Sequence, residues 1–269
     1  MSSVLSRRPA RGVRALLWIP FIGACEVANF GCRGTESAGI QTLNVWAASS
    51  LTGVFQNLAE RYEAAHPDVE VRLQFAGSQV LRLQLEQGGM ADVYASAHVE
   101  HMQALVQQGL VSKPETLCTN DLVMVVPSAN PSSLATFDDL LRAERLVVGS
   151  RAVPVGRYTE AMFVKAETVF GRSWVRGVQR HIVSREANVR LVRSKVVLGE
   201  ADAALVYRSD ALGVPELEMI ELPEAVQVRA RYEIAAVSGA GPTASRFIEF
   251  VRSPEAHDAL RTHGFGAPS

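Results

Sequence analysis

The sequence has little excess of either charge. It contains 27 basic and 28 acidic residues among 269, for a net charge of −1. Nucleic-acid binding needs a surface rich in lysine and arginine, so this balance argues against a nucleic-acid partner. After the N-terminal segment, no apolar run is long enough to span a bilayer. With 48% hydrophobic and 20% charged residues, the composition is typical of a globular protein with a substantial core.

The common catalytic and metal-binding motifs are also absent. The sequence has no GxSxG elbow, no P-loop and no HExxH. Its three cysteines include no CxxC pair, although an exported protein permits a disulfide between Cys32 and Cys118. His98 and His101 could bind a metal, but such a pair more commonly lies on a solvated helix face. We therefore predict no catalytic residue and keep an exported hydrolase only as the rival class.

The N-terminus has the pattern of an export signal. Arginines at positions 7, 8, 11 and 14 precede the apolar run "ALLWIPFIGA", and no acidic residue precedes Glu26. This pattern predicts a signal peptide over residues 1–24. The stretch "FIGAC" resembles a bacterial lipobox, which predicts lipid modification of Cys25 and a tether over residues 25–41. An ordinary secretory signal, without lipidation, is the alternative. Removal of the signal leaves 23 basic against 28 acidic residues, a net charge of −5.

From residue 42 onward, strand and helix patterns alternate. A β-α-β-α-β-α run predicts an α/β protein with mainly parallel sheets flanked by helices. The number of elements is large for one sheet and favours two lobes. We predict that lobe 1 comprises residues 42–121 with 232–269, and that lobe 2 comprises residues 122–231. Because open α/β sheets bind ligands outside the carboxyl ends of their strands, we expect a ligand cleft between the lobes.

Four strand-to-helix junctions carry small or backbone-donating residues where a helix is predicted to begin. These helix starts lie at Ser50, Ser78, Val155 and Val189. The first N–H groups of a helix have no acceptor in the helix and carry a partial positive charge, so they favour anions. A serine before a helix is more commonly a cap, and this alternative stays open for Ser50 and Ser78. For the helix at Val189, either Ser184 or Asn188 is the expected cap.

Several stretches resemble successive motifs of the periplasmic molybdate-binding protein family of ABC importers. They are "VWAASSLT", "FAGSQVLRLQLEQGGMADVYASA", "VPVGRY", "NVR" and "LVYRSDA", within Leu43 to Phe265. The resemblance implies the two-lobed periplasmic binding protein fold (type II). It also implies that side chains and backbone of Ser50 and Ser78, backbone N–H groups of Val155 and Val189, and the Tyr207 hydroxyl hold the oxyanion. Molybdenum would enter only within that oxyanion, with no cofactor.

The same resemblance implies a function and partners. The protein is expected to capture molybdate or tungstate by hinge closure and deliver it to a membrane permease driven by an ATPase. It would be a monomer in the periplasm, or a lipoprotein attached to the membrane by its lipid alone. Another oxyanion (sulfate or phosphate) or a small carboxylate remains the alternative ligand. A carboxylate would usually need an arginine clamp, for which Arg157 and Arg190 are the candidates near these junctions.

Overall fold

The computed structural model describes residues 39–268. Outside the described residues lie the predicted signal peptide, residues 25–38 of the predicted tether with the predicted lipidation site Cys25, and Cys32. The strands run in the order β1 (Gln41–Ala48), β2 (Val69–Ala76), β3 (Val93–Ser96), β4 (Glu115–Pro127), β5 (Leu146–Gly149), β6 (Ile182–Glu186), β7 (Ala203–Tyr207), β8 (Leu217–Glu221) and β9 (Arg229–Ala236).

The helices lie between these strands and at the C-terminal end. They are α1 (Thr52–Ala65), α2 (Ser78–Glu86), α3 (Val99–Gln107), α4 (Pro154–Phe170), α5 (Arg172–Arg180), α6 (Val189–Val197), the short α7 (Arg208–Ala211), α8 (Pro242–Val251) and α9 (Pro254–Thr262). Within the described residues, short 3₁₀ helices also lie at Ser49–Leu51 and Phe137–Arg142.

The strands form two sheets that share β4. In the first sheet the order is β2-β1-β3-β9-β4, and β9 alone is antiparallel to its neighbours. The second sheet has the order β6-β5-β7-β4-β8, and there β4 is the reversed strand. The partners of β4 change between Asp121, paired with β9, and Leu122, paired with β7. We call the parts built on the two sheets the first and second lobe; the lobe limits given above remain a prediction.

The core explains why these segments fold as they do. Helix α1 buries one stripe, at Val54, Phe55, Leu58, Ala59 and Tyr62, as the helical spacing predicts. Strand β7, "AALVY", is buried at every position because helices or strands cover both of its faces. Burial of each large apolar side chain stabilises the fold by on the order of 1.5–3 kcal/mol, so packing in the core holds α1 and β7 in place beside the cleft.

The structure decides one local expectation and corrects another. Ser184 lies in β6 and does not cap a helix, whereas the Asn188 side chain accepts a hydrogen bond from Leu191 N at 3.0 Å. His98 and His101 are buried, not solvated, because α3 packs against the second lobe; the rings of His98 and Tyr158 lie 4.9 Å apart.

Within residues 39–268, no helix combines the length and the apolar character needed to cross a bilayer. Cys118 is buried in the core, where burial raises the pKa of its thiol well above the usual value. Whether it pairs with Cys32 stays open, since Cys32 lies outside the described chain.

Candidate ligand-binding site

The four helix starts singled out in the sequence meet at one cavity between the two lobes. Its empty space, including its mouth, is about 220 Å³. This figure is an upper limit and still lies below the roughly 300–1,000 Å³ of pockets for drug-sized ligands, so the cavity has room only for a small ligand. The lining residues are all uncharged and include the five predicted positions: Ala48, Ser49, Ser50, Gly77, Ser78, Ala97, Val153, Pro154, Val155, Asn188, Val189 and Tyr207.

The first lobe contributes two buried serines. Ser50 lies in the 3₁₀ turn between β1 and α1, and its Oγ is 2.8 Å from the Tyr232 hydroxyl oxygen. Ser78 is the first residue of α2, and its Oγ accepts a hydrogen bond from Ala97 N at 3.1 Å. Neither serine occupies the N-cap position of α1 or α2, and neither helix has a side-chain capping hydrogen bond. The cap interpretation is therefore wrong for both serines.

The second lobe contributes two helix starts. Val155 is the second residue of α4, after Pro154, and Val189 is the first residue of α6. N–H groups in a first turn have no acceptor one turn back, so they are available to a ligand. Gly156 allows α4 to begin this close to β5, because a Cβ there would lie 1.9 Å from the carbonyl oxygen of Ser150.

Tyr207 supplies a hydroxyl group at the end of β7. It is 1% exposed, and its ring makes edge contacts with Tyr158 and Tyr232 at centroid distances of 6.3 and 6.0 Å. Burial raises the pKa of Tyr207 well above its ordinary value, so the phenol keeps its proton. The Tyr207 hydroxyl has no hydrogen-bond partner within residues 39–268. A buried polar group without a partner is unfavourable, and a ligand that accepts a hydrogen bond from the Tyr207 hydroxyl would relieve that cost.

Charged groups lie behind the cavity wall. Arg190 Nε donates to the Ser49 carbonyl oxygen at 2.8 Å and so joins the second lobe to the first. Asp92 lies away from the cavity, before β3, and its carboxylate accepts a hydrogen bond from Asn44 N at 2.7 Å. The carboxyl group of Asp210, however, is buried without a hydrogen-bond partner in the described chain. Burial raises the pKa of Asp210 to about 7, although nearby arginine charges act against this.

Further contacts join the two lobes beside the cavity. Gln79 Nε2 donates to the Ala187 carbonyl oxygen at 2.8 Å, and Arg157 forms an ion pair with Glu100. The Arg157 guanidinium is thus paired with the other lobe and does not line the cavity. Burial lowers the pKa of His98, and it lowers that of His101 to about 4 with help from the His98 charge.

Comparison with known proteins places the chain in a family. Residues 43–266 match the family model described as bacterial extracellular solute-binding protein. The molybdate-binding protein ModA of Mycobacterium tuberculosis H37Rv is 35% identical over 235 residues, which cover 86% of each protein. The chain belongs to the ModA family of bacterial extracellular solute-binding proteins. This membership confirms the expected class of a binding protein rather than a hydrolase.

Solved structures confirm the fold of this ModA-family protein. The Azotobacter vinelandii periplasmic molybdate-binding protein superposes with a TM-score of 0.72 at 18% identity, covering 84% of this chain and all of that one. The sulfate-binding protein SubI of M. tuberculosis gives 0.74 at 17% identity, covering 84% and 86%. Two proteins named for different oxyanions fit equally well, so the superpositions establish the periplasmic binding protein fold but do not distinguish the ligand.

Proposed function

We propose that this protein captures molybdate or tungstate outside the cytoplasm for an ABC importer. The observation that carries the proposal is a small cavity between two lobes, lined by neutral donors and ending at a buried tyrosine hydroxyl that has no partner within residues 39–268. The proposed ligands of the oxyanion are Ser50, Ser78, Val155, Val189 and Tyr207. The M. tuberculosis relative, named as a molybdate-binding protein, supports molybdate as the cargo.

Uncharged donors are sufficient for a dianion. A buried charge is costly unless it is fully hydrogen-bonded, and each hydrogen bond to a charged group contributes roughly 1.5–3 kcal/mol net. Two hydroxyl groups from the first lobe, one from the second and several backbone N–H groups converge here. Together they support micromolar or tighter binding, on the order of 8 kcal/mol or more.

Capture is proposed to occur by closure of the two lobes. Ser50 and Ser78 belong to one lobe, whereas Val155, Val189 and Tyr207 belong to the other, so all five meet the ion only when the lobes are together. The bound ion therefore favours the closed form through contacts that the open form lacks. The contact from Arg190 to the Ser49 carbonyl, formed between the lobes, adds to this preference.

The remaining roles follow from family and sequence. We propose that the closed protein delivers its ion to a membrane permease driven by an ATPase. The "FIGAC" stretch supports attachment through a lipid on Cys25, with the protein facing the periplasm or the exterior. Release of the protein from membranes after Cys25→Ser, with unchanged export, is the expected result of a fractionation experiment.

Calorimetric titration of the purified protein with molybdate, tungstate, sulfate and phosphate tests the ligand. We expect one tightly bound molybdate or tungstate per chain, with sulfate and phosphate much weaker. The Ser78→Ala variant should lose roughly tenfold or more in molybdate affinity, as deletion of one hydrogen bond to a charge predicts. Ser238→Ala is the matched control, since that hydroxyl bonds a loop carbonyl, Gly109 O, away from the cavity. Equal affinities for sulfate and molybdate would contradict molybdate as the specific ligand and favour sulfate as the alternative.

A further inference from the structure

Asn188 precedes α6 and distinguishes the start of this helix from those of the other helices at the cavity. Its Oδ1 accepts a hydrogen bond from Leu191 N at 3.0 Å and so caps the helix. Within residues 39–268, no side chain caps α1, α2 or α4, which also begin beside the cavity. Helix α4 begins instead with Pro154, whose ring fixes φ in the helical range. Among these four helices, α6 therefore depends on a side-chain hydrogen bond to hold its first turn.

The cap leaves two N–H groups of α6 available to a ligand. The first three N–H groups of the helix belong to Val189, Arg190 and Leu191, and none of them has an acceptor one turn back. Asn188 satisfies the N–H group of Leu191, a residue that does not line the cavity. The N–H groups of Val189 and Arg190 stay free at the positive end of the helix dipole. These two donors are therefore the ones that α6 offers to an anion.

The charge of the cap matters because Asn188 lines the same cavity as Val189. Asparagine, aspartate and serine cap helices about equally well, and the helix dipole favours a carboxylate. A carboxylate at this position, however, would lie beside the bound dianion and repel it. The backbone of Asn188 is extended, with φ −161° and ψ 166°, so any of these residues could adopt it. The neutral amide thus combines a helix cap with tolerance of a negative ligand.

We propose that Asn188 is a positioning residue, which caps α6 with a neutral group and holds the N–H groups of Val189 and Arg190 ready for the oxyanion. This inference rests on the proposed function of the cavity. Without the cap, the first turn of α6 frays in the ligand-free protein, and the anion has to order it on binding. The Arg190 side chain, which bonds the Ser49 carbonyl oxygen of the other lobe, leaves from the same turn. Loss of the cap therefore weakens both the donors and this contact between the lobes.

Calorimetric titration with molybdate and thermal unfolding without ligand, both on the purified protein, test this role. In Asn188→Ala, molybdate affinity should fall about fivefold and the melting temperature by about 2–4 °C, as the loss of one cap predicts. Ser253→Ala is the matched control. The Ser253 side chain caps α9 by accepting from Ala256 N at 3.2 Å, away from the cavity. This control should lower the melting temperature similarly and leave the affinity unchanged.

Two further variants separate the cap from its charge. Asn188→Ser should keep the affinity and melting temperature of the wild type. Asn188→Asp should keep the melting temperature but lower molybdate affinity at least about tenfold, because the carboxylate repels the dianion.

Unchanged affinity in Asn188→Ala or in Asn188→Asp would overturn the inference. A serine variant with the wild-type melting temperature but reduced affinity would also overturn it, since the amide would then act on the ion directly. A wild type that binds sulfate instead of molybdate contradicts the proposed function alone, because the same variants can then be compared with sulfate.

Discussion

The Tyr207→Phe substitution should change ligand affinity and stability in opposite directions. The Tyr207 hydroxyl lines the cavity and has no partner among the described residues. Its removal deletes one hydrogen bond to the bound anion, worth about 1.5–3 kcal/mol, so molybdate affinity should fall about 10- to 150-fold. In the ligand-free protein the same substitution removes a buried hydroxyl that has no partner, which should increase the free energy of unfolding by up to about 1–3 kcal/mol. The melting temperature without ligand should therefore stay the same or rise.

Calorimetry with molybdate and thermal unfolding without it measure the two effects. Tyr62→Phe is the control, because its hydroxyl is also buried and unpartnered in residues 39–268 but lies on α1, outside the cavity lining. It should leave molybdate affinity unchanged. Parallel loss of affinity and stability in Tyr207→Phe, or unchanged affinity, would refute the assignment of this hydroxyl to the ligand.

Three further predictions concern groups behind the cavity wall. Arg190→Gln removes the bond to the Ser49 carbonyl between the lobes and should speed molybdate release about tenfold in stopped-flow measurements; unchanged release contradicts the bridging role. Burial between the lobes lowers the pKa values of His98 and His101, so protonation of these side chains opposes closure. Below about pH 6.5, molybdate affinity should therefore fall more steeply in the wild type than in His101→Gln. Parallel pH profiles of the two proteins would contradict this. Burial raises the pKa of Asp210 to about 7, so the folded state becomes less favourable as the pH rises from the ordinary pKa of an aspartate to this raised value. The free energy of unfolding measured with urea should fall by about 3 kcal/mol between pH 5 and 8. The Asp210→Asn variant should lack this fall.

Local sequence chemistry is enough to locate most of the candidate site. Small residues at a strand-to-helix junction are visible in the sequence alone, and they select Ser50, Ser78, Val155 and Val189. Tyr207 requires the family resemblance, because a tyrosine ending a buried strand is more commonly a core residue. The structure places all five on one cavity, while their role as ligands remains a proposal.

The features that escape sequence reasoning depend on contacts between distant segments. Arg190 reaches Ser49 across 141 residues, and Tyr232 reaches Ser50 across 182. No local periodicity encodes such pairs. The burial of His98 is not predicted for the same reason. The sequence pattern of α3 alone is that of a half-exposed helix, and the contact that buries His98 comes from Tyr158 in the other lobe. Strand β6 is hard to separate from the helix that follows because its alternation is short and weak.

The central claim is that uncharged groups of both lobes hold a doubly negative oxyanion. A crystal structure of the molybdate complex tests it most directly. The account predicts that the ion's oxygens are contacted by the hydroxyls of Ser50, Ser78 and Tyr207 and by backbone N–H groups at Val155 and Val189, with no arginine or lysine side chain in reach. An ion held by the guanidinium of Arg190 or Arg157, or bound away from this cavity, would contradict it.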